Sequence, residues 1–395
     1  MSGAPLEPHS RPSAEGSVDS PGGRSCGPVR RIGYGAARRR PVRLARLDEA
    51  ALAETDRRAS LVGAVLPRDV AVGAERWAKG RRLSADDLAR LAVEAATSET
   101  FRAGPVDVLI AEPGDVHEDE AATRLAAVVA GPGVTLRGPA ESRVDLLAAV
   151  DGVVRIRVAA LERLDRIDPL EVFTVYDRQV VRTGDLVASV KVAPQLVDER
   201  ALARGEAVAR KGGAIVRVDA FSPRKVGVLV KESVHGPARE RFEASVRDKV
   251  EGLGSTIAAI EYVADDTAAV IAGFRALRRA GSRLILTAGA RSMDPSDACF
   301  VALALLGGVV IRRGVPAHPG SMLWLGRLGR TAIIGLPTCG AYSRATAADL
   351  LLPRLLAGEP PSRATIARLG HGGILTRAMR FRFPAYAREL DAPDG

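Results

Sequence analysis

The stretch LILTAGARSMDPSDA, residues 284–298, predicts a β-strand that leaves its sheet at a polar loop. The aliphatic residues 284–286 lead into Thr287, Ala288 and Gly289, a change that is typical of a strand ending in a tight turn. A basic residue, a hydroxyl and two carboxylates follow, and the proline between the carboxylates favours the first turn of a helix. The stretch therefore predicts a strand, a polar loop and a helix, in this order.

Strands and helices alternate on both sides of this stretch. The apolar segments KVGVLV (225–230), STIAAIEYV (255–263) and TAIIG (331–335) have the length and β-branched content of buried strands, and segments of helical periodicity separate them. Such alternation indicates a mostly parallel sheet with helices on both faces. We therefore predict an α/β fold with a C-terminal three-layer α/β/α sandwich, a mostly parallel sheet, and a smaller N-terminal α+β region.

Composition and turn residues divide the chain into five segments. The first is rich in Ser, Pro, Gly and Arg, which bury too little apolar surface to order the segment. We predict a disordered basic leader (1–40), a small α+β segment (41–104), a middle α+β region (105–220), a sheet domain (221–360) and a C-terminal tail (361–395).

Net charge, cysteine content and hydropathy indicate which classes of binding partner and which cellular compartment the protein has. The formal net charge is +10, but no Arg-rich helix interleaved with aromatics, zinc-finger spacing or RNA-recognition signature accompanies it, so we expect no nucleic-acid partner. Three widely spaced cysteines form neither a disulfide framework nor a zinc motif, as expected in a reducing cytoplasm. No apolar run has the length of a membrane span, and no signal-peptide core opens the sequence. We therefore expect a cytoplasmic protein without a membrane partner.

Three loops follow predicted strands at the ends where open parallel sheets bind their ligands. They begin after Val230, Ala288 and Leu336. Because the carboxyl ends of parallel strands meet at one edge of a sheet, we expect the three loops to surround one site.

The loop after Ala288 has the chemistry of an anion site. Gly289 permits a turn and a close ligand approach, and the amides ahead of the next helix carry partial positive charge. Arg291 and Ser292 add donors, whereas Asp294 and Asp297 fit a divalent cation that bridges to the same anion.

The same residues also fit a structural interpretation, which the sequence leaves open. In that interpretation Asp294 caps the helix, Asp297 interacts with its first turn, and Arg291 is their surface counter-charge. GLPTCG (335–340) is likewise either a clasp for a phosphate or a pterin edge, or an ordinary β–α turn. The acidic EPGDVHEDE (112–120) is either a metal or substrate site or the capped first turn of a helix, and we predict the latter.

Several motifs together resemble a known family. LILTAGARSMDPSD (284–297) and GGVVIRRGVPAHPGSMLWLGRLGRTAIIGLPTCGAYS (307–343) are similar in order and spacing to the molybdenum-cofactor biosynthesis domain of molybdopterin molybdenumtransferases and molybdopterin adenylyltransferases. The upstream EPGDVHEDEAATRLA (112–126) and VRTGDLVASVKVAP (181–194) resemble a family of molybdopterin-binding proteins, some of which are fused to nucleotidyltransferases. The resemblance implies that residues 221–360 form a molybdopterin-binding domain.

The resemblance assigns roles to individual residues. It places Gly289, Arg291 and Ser292 on the pterin-phosphate loop, and Asp294 and Asp297 on an acidic pair implicated in metal or molybdate handling. The other cofactor-binding positions that it implies are Thr287, Gly335, Pro337, Thr338, Gly340 and Ser343. The family's GLPGNP is GLPTCG here, a departure that leaves catalysis of metal insertion open.

The resemblance implies a protein that binds molybdopterin, or a nucleotide form of it, during molybdenum cofactor biosynthesis or maturation. Mg²⁺ and molybdate are the other ligands that it suggests. Three alternatives stay open at this point. The first is a molybdopterin molybdenumtransferase-like transferase with Asp294 and Asp297 as catalytic and metal-binding residues. The second is a non-catalytic cofactor carrier or sensor. The third is an assembly partner of a cofactor nucleotidyltransferase or a molybdoenzyme, and homo-oligomer formation is equally open.

Overall fold

The computed structural model describes residues 30–32, 42–97, 106–231, 236–291, 294–337 and 345–388. Its described residues before 112 form one compact unit, and those from 112 onward form a second. Within these described ranges, no helix combines the length and the apolar character that crossing a lipid bilayer requires.

In its described residues, the first unit has short strands and three helices around an apolar core that includes Trp77 and Leu88. Its strands are β1 (Arg30–Ile32), β2 (Val42–Leu47), β3 (Val70–Val72), β4 (Glu75–Trp77) and β5 (Val106–Ile110). Its helices are α1 (Glu49–Ala53), α2 (Thr55–Ala59) and α3 (Ala85–Thr97). β2 pairs with β1 and β5 in antiparallel register. β1 lies within the predicted leader, and the rest of residues 1–40 lies outside the described ranges.

The middle region is built from antiparallel strands and three helices. Its strands are β6 (Asp115–His117), β7 (Val134–Ala140), β8 (Arg143–Ala148), β9 (Gly152–Ile156), β10 (Leu170–Thr174), β11 (Val180–Val181), β12 (Leu186–Val192), β13 (Leu196–Asp198) and β14 (Val216–Ala220). Its helices are α4 (Glu118–Val129), α5 (Val158–Asp165) and α6 (Glu199–Arg210). The sheets have the strand orders β10-β12-β8-β7, β11-β9-β14 and β13-β6. His117 accepts a hydrogen bond from the Asp119 amide (3.2 Å), so the acidic segment forms the capped first turn of α4, as predicted.

The C-terminal region contains a six-stranded sheet in the order β16-β15-β17-β20-β19-β18. Its strands are β15 (Lys225–Val230), β16 (Thr256–Tyr262), β17 (Leu284–Ala288), β18 (Val309–Arg313), β19 (Trp324–Leu328) and β20 (Thr331–Gly335). Its main helices are α7 (Gly236–Glu251), α8 (Thr267–Arg279), α9 (Ala298–Leu305) and α10 (Ala347–Leu356). The first four strands of the order are parallel, and β19 and β18 are antiparallel to their neighbours.

Side-chain alternation along the strands creates two cores, one on each face of this sheet. In β17, Leu284 and Leu286 join the core that includes Phe242 of α7, whereas Ile285 joins the core that includes Phe274 of α8. Helices therefore cover both faces, which confirms the predicted α/β fold with its largely parallel C-terminal sheet.

The residues after 360 pack on the C-terminal region. They form α11 (Arg363–Ala367), a 3₁₀ helix (Arg377–Arg382) and α12 (Ala385–Arg388). Ile366, Leu369 and Phe383 are buried in the same core as the α7 face of the sheet. The apolar residues of this segment thus stabilise the sheet domain.

Candidate functional site

The ends of three neighbouring parallel strands meet at one edge of the sheet. The Lys231 amide, just after β15, donates to the Ala288 carbonyl at the end of β17 (3.1 Å). The Leu336 amide, just after β20, donates to the Thr287 carbonyl (2.8 Å). The loops after Val230, Ala288 and Leu336 therefore begin side by side, as the parallel order of the strands predicts.

The loop after β17 turns at Gly289, whose φ of 87° lies in the region that favours glycine. Two residues later, Arg291 has a side chain that is 65% exposed, and its guanidinium pairs with Asp265 (2.9 Å). Because Asp265 is itself partly exposed, this pair can open to a competing anion at little cost. Arg291 thus presents an exposed cation at the strand ends.

Asp297 is buried, and its hydrogen bonds hold the loop after β17 in place. Its Oδ1 accepts from the Cys299 amide (2.9 Å) and so caps α9. Its Oδ2 accepts from the Arg291 amide (2.8 Å) and from Lys231 Nζ (2.6 Å). The side chains of Asp297 and Lys231 are both 0% exposed. Asp297 therefore ties the loop after β17 to the loop after β15.

Lys231 bridges two carboxylates in the same cluster. Its Nζ contacts Asp265 (2.7 Å) as well as Asp297. Burial acts to lower the pKa of Lys231, but the hydrogen bonds to both carboxylates outweigh it and raise that pKa. Burial likewise acts to raise the pKa of Asp297, and the bonds from Lys231 and two amides outweigh it and lower that pKa. Both groups are therefore charged near neutral pH.

Asp294 lies closer to solvent and has a different role. Its Oδ1 accepts from the Ser296 amide (2.8 Å) and hydroxyl (2.6 Å), which lower the pKa of the carboxyl. Its Oδ2 has no hydrogen-bond partner within the described ranges. Of the two predicted metal ligands, Asp294 is thus the one with an oxygen available to a ligand.

The described residues do not converge on a preformed metal site. Among them, no group of three or more His, Cys, Asp and Glu residues could hold a metal ion. Asp297 is buried and both of its oxygens already accept hydrogen bonds, so joint chelation with Asp294 requires a rearrangement of these contacts. That Asp294 and Asp297 together bind a cation stays a prediction.

Thr287 and Gly335 lie in one cross-strand row below these loops. Thr287 of β17 pairs with Gly335 of β20, which pairs with Trp324 of β19. A Cβ on Gly335 would overlap the Trp324 indole nitrogen, so the indole requires glycine at this position. The Thr287 hydroxyl and the Trp324 indole N–H are both buried without a hydrogen-bond partner in the described part of the chain. Thr287 is fully buried at the end of β17, so it packs beneath the loops and is not exposed at the strand ends.

The loop after β20, here termed the second ligand loop because the resemblance places further cofactor-binding positions on it, is described only at its start. Pro337 is buried directly after β20. Four predicted ligand positions lie outside the described residues: Ser292, Thr338, Gly340 and Ser343.

The sequence placed Lys231 in the loop after Val230 and Asp265 or Asp266 at the start of a helix, but it did not predict that Lys231 and Asp265 pair. Lys231 directly follows an apolar strand, and Asp265 precedes the cap of α8, so both stand at element ends on the ligand edge. The pair could have been predicted from one feature of the sequence. A lysine directly follows a buried strand, and acidic residues follow the neighbouring strands.

Cys299 sits beside Asp297 in the first turn of α9 and is fully buried. Burial, reinforced by the charge of Asp297, raises the pKa of the thiol to about 12. A thiol with this pKa is neutral near pH 7 and is a packing group, not a nucleophile.

Comparisons with known proteins agree with the motifs. Residues 228–357 match the family model described as a probable molybdopterin binding domain. Among solved structures, a molybdopterin biosynthesis MoeA protein from Pyrococcus horikosii aligns at 15% identity and a TM-score of 0.27, over 65% of this chain and 81% of its own. A MogA structure aligns at 22% identity and a TM-score of 0.25, over 33% of this chain and 94% of its own. No curated protein matches the chain.

The family match spans the six-stranded sheet from β15 through α10, and it includes the loops after β17 and β20. Both TM-scores are low, so the fold assignment depends on the sheet topology itself. The match supports a role in molybdenum cofactor biosynthesis. Residues 228–357 of this chain are therefore similar to a probable molybdopterin binding domain, as the resemblance of their motifs predicted.

Proposed function

We propose that this protein binds molybdopterin, or a nucleotide form of it, at the edge where β15, β17 and β20 end. The observation that carries the proposal is the loop after β17. It turns at Gly289, exposes the Arg291 guanidinium and is held in place by the buried Lys231–Asp297 pair. Electrostatic preorganisation of this kind suits an anionic ligand, because the loop does not have to be ordered at the moment of binding.

Each side chain has a separate part in the proposed complex. Arg291 binds the phosphate, by exchanging Asp265 for a doubly charged partner. Asp294 supplies its available Oδ2 to Mg²⁺, which offsets the repulsion between carboxylate and phosphate. Asp297 is a positioning residue, because its oxygens are engaged by Lys231 and two amides. The pterin would rest against the segment that starts at Leu336, and its dithiolene supplies the sulfur ligands for molybdenum.

The proposed ligand fits an observation at this edge. The loop presents the exposed Arg291 guanidinium, and the buried hydroxyl of Thr287, two residues before the turn at Gly289, lacks a partner in the described part of the chain. We propose that the protein works in the cytoplasm, as a transferase that aids molybdate insertion or as a carrier of the same ligand. Molybdate incorporation by the purified protein distinguishes the two, since a carrier binds the ligand without turnover.

Arg291→Ala is expected to weaken molybdopterin binding roughly 10- to 100-fold, since a charge-assisted hydrogen bond contributes about 1.5–3 kcal/mol. Isothermal titration calorimetry with and without Mg²⁺ measures the effect. Asp294→Asn should remove the Mg²⁺-dependent part of the affinity alone. Arg163→Ala, an exposed arginine on α5, is the matched control and should bind like the wild type. Absence of binding heat with folded wild-type protein would refute the proposal.

A second candidate function, assembly partner of a cofactor nucleotidyltransferase or a molybdoenzyme, is favoured by a basic surface. Five exposed arginines and two glycine turns line an open basin of about 610 Å³, termed the arginine basin. Its arginines are Arg275, Arg278, Arg279, Arg283 and Arg330. The basin lies beside the starts of β17 and β20, so a partner bound there leaves the ligand edge of the sheet open.

Charge complementarity makes an acidic protein surface the partner that suits the arginine basin. Reversing Arg278, Arg279 and Arg330 to Glu should abolish low-salt binding of poly-L-glutamate to the basin, whereas reversing Arg163, Arg166 and Arg204 should not. Fluorescence anisotropy at two salt concentrations measures this, because exposed charge pairs weaken as screening increases. Equal losses in both triple variants would show only a response to net charge, and tighter binding of an oligonucleotide would assign the basin to nucleic acid.

A further inference from the structure

Arg354, on the last turn of α10, is a buried arginine whose guanidinium is not fully hydrogen-bonded among the described residues. The residue is 3% exposed, and its Nε and Nη1 have no partner in the described part of the chain. Arg178, in the segment between β10 and β11, has a buried Nε in the same condition. Buried donors in folded proteins are nearly always satisfied, so three such nitrogens in one cluster require an explanation.

The carboxylates around Arg354 are already engaged by other arginines. Glu359, whose side chain is 4% exposed, accepts from Arg155 (2.7 Å) and Arg368 (3.4 Å) and lies 3.5 Å from Arg178 Nε. Asp177 pairs with Arg178. Asp219 contacts Arg155 (3.5 Å) and Arg217 (2.8 Å), so the arginines of the cluster still outnumber its carboxylates. Within the described residues, Arg354 makes no ion pair.

The charges around Arg354 include two carboxylates, Glu359 and Asp177, and two further arginines. Burial lowers the pKa of Arg354 to about 10, and attraction to Glu359 only partly offsets this effect. Arg178 and Arg382 add repulsion. At neutral pH the guanidinium is still protonated, and an unpaired charge in this position is costly unless a counter-ion pairs with it.

We propose that a small inorganic anion binds at Arg354 and Arg178, at the junction of the middle region and the sheet domain. Nε and Nη1 of Arg354, together with Nε of Arg178, would donate to the anion, and its charge would balance the cationic excess. A water molecule could satisfy the donors but would leave that excess in place. The required ligand chemistry is a compact acceptor with negative charge, which chloride and a tetrahedral oxyanion such as phosphate both supply.

The anion would stabilise the contact between the middle region and the carboxyl end of α10. Arg155 lies on β9 and Arg178 follows β10, whereas Arg354 and Glu359 lie at the end of α10. The other end of α10 begins just after the second ligand loop of the sheet domain. An anion here would therefore fasten the helix that follows that loop to the middle region.

Thermal unfolding in a series of sodium salts tests the site, with ionic strength held constant by gluconate, a much larger anion. The wild-type midpoint should rise by roughly 5 °C when chloride or phosphate is about hundredfold above its dissociation constant. The salt that raises the unfolding midpoint more, chloride or phosphate, identifies the anion that the site prefers. Arg354→Met should lose the rise, whereas Arg204→Met, an exposed arginine on α6, should keep it.

Bromide-soaked and phosphate-soaked crystals of the wild-type full chain give a second readout that does not depend on the folding of a variant. An ion within hydrogen-bond distance of Arg354 Nε, together with an anion-specific midpoint shift, supports the proposal. An ion in the crystal without a midpoint shift is an adventitious ion only and overturns it. Water at Arg354, or the same shift in the wild type and Arg354→Met, overturns it as well.

Discussion

Asp297→Asn should lower the free energy of unfolding by roughly 3–5 kcal/mol, the usual cost of removing one partner of a buried ion pair. The change leaves Lys231 buried with only the partly exposed Asp265 beside it. It also places an amide NH₂ against donors, because the second oxygen of Asp297 accepts from both Lys231 and the Arg291 amide. Urea unfolding followed by circular dichroism measures the loss.

Two variants show whether the buried charge is the cause. Asp294→Asn removes a carboxylate of the same loop that lies closer to solvent, so its stability should stay within about 0.5 kcal/mol of the wild type. The double variant Lys231→Met/Asp297→Leu removes both buried charges and should recover a large part of the loss. If the double variant is less stable than Asp297→Asn alone, the hydrogen bonds of Asp297 dominate, not its charge.

The effect of Asp297→Asn should also depend on pH. The pKa of Asp297 in the folded protein lies below its ordinary value of 3.8, so its stabilisation is present above about pH 4 and is lost as the pH falls through the folded pKa. The pKa of Lys231 is raised above 10.5, so its contribution is present below that pH and is lost as the pH rises through the folded pKa. The stability difference between the variant and the wild type should therefore be largest between these limits.

Gly335→Ala should destabilise the sheet domain by about 3 kcal/mol, at the upper end of the cost of overpacking a core. The new methyl group would overlap the indole of Trp324, which is fully buried in the neighbouring strand β19. β20 is central in the sheet, with a partner on each side, so it has little freedom to move away. The shift of the thermal midpoint, checked by near-UV circular dichroism of Trp324, measures the effect.

A second substitution separates packing from a ligand role at Gly335. In a Trp324→Leu background the clash disappears, so adding Gly335→Ala should cost much less than it does beside the indole. If Gly335→Ala is equally harmful in both backgrounds, the indole does not explain the glycine. If it alters molybdopterin affinity while the midpoint is unchanged, Gly335 contacts the ligand, as the resemblance implied.

The sequence could predict the elements of the sheet domain because their patterns are local. Apolar strands such as 225–230 and 284–288 are buried on both faces and are bounded by polar or small residues, and both lie where the pattern placed them. The strand-end rule also predicted which loops meet, since it depends only on parallel order. Glycine at 335 carried no such signal, because its cause is an indole on the next strand.

The roles of the acidic residues show the opposite case. From their spacing, Asp294 and Asp297 were predicted to act as a pair. In the structure Asp294 lies closer to solvent, whereas Asp297 is enclosed by Lys231 and two amides. Lys231 is 66 positions away from Asp297 in the chain, so no local pattern links them. The same holds for Arg354, whose neighbours come from the middle region and from the segment after α10.

By itself, the sequence determined the α/β class, the strands that polar loops follow, and the resemblance to a molybdopterin-binding domain. These features depend on periodicity and motif spacing, which are properties of nearby residues. Only the tertiary structure decided which of those polar residues are exposed at the strand ends, which are buried counter-charges, and where, among the described residues, a buried cation lacks a hydrogen-bond partner. The physical reason is that burial and charge pairing depend on contacts between distant segments, and these contacts exist only after the sheet and its helices have assembled.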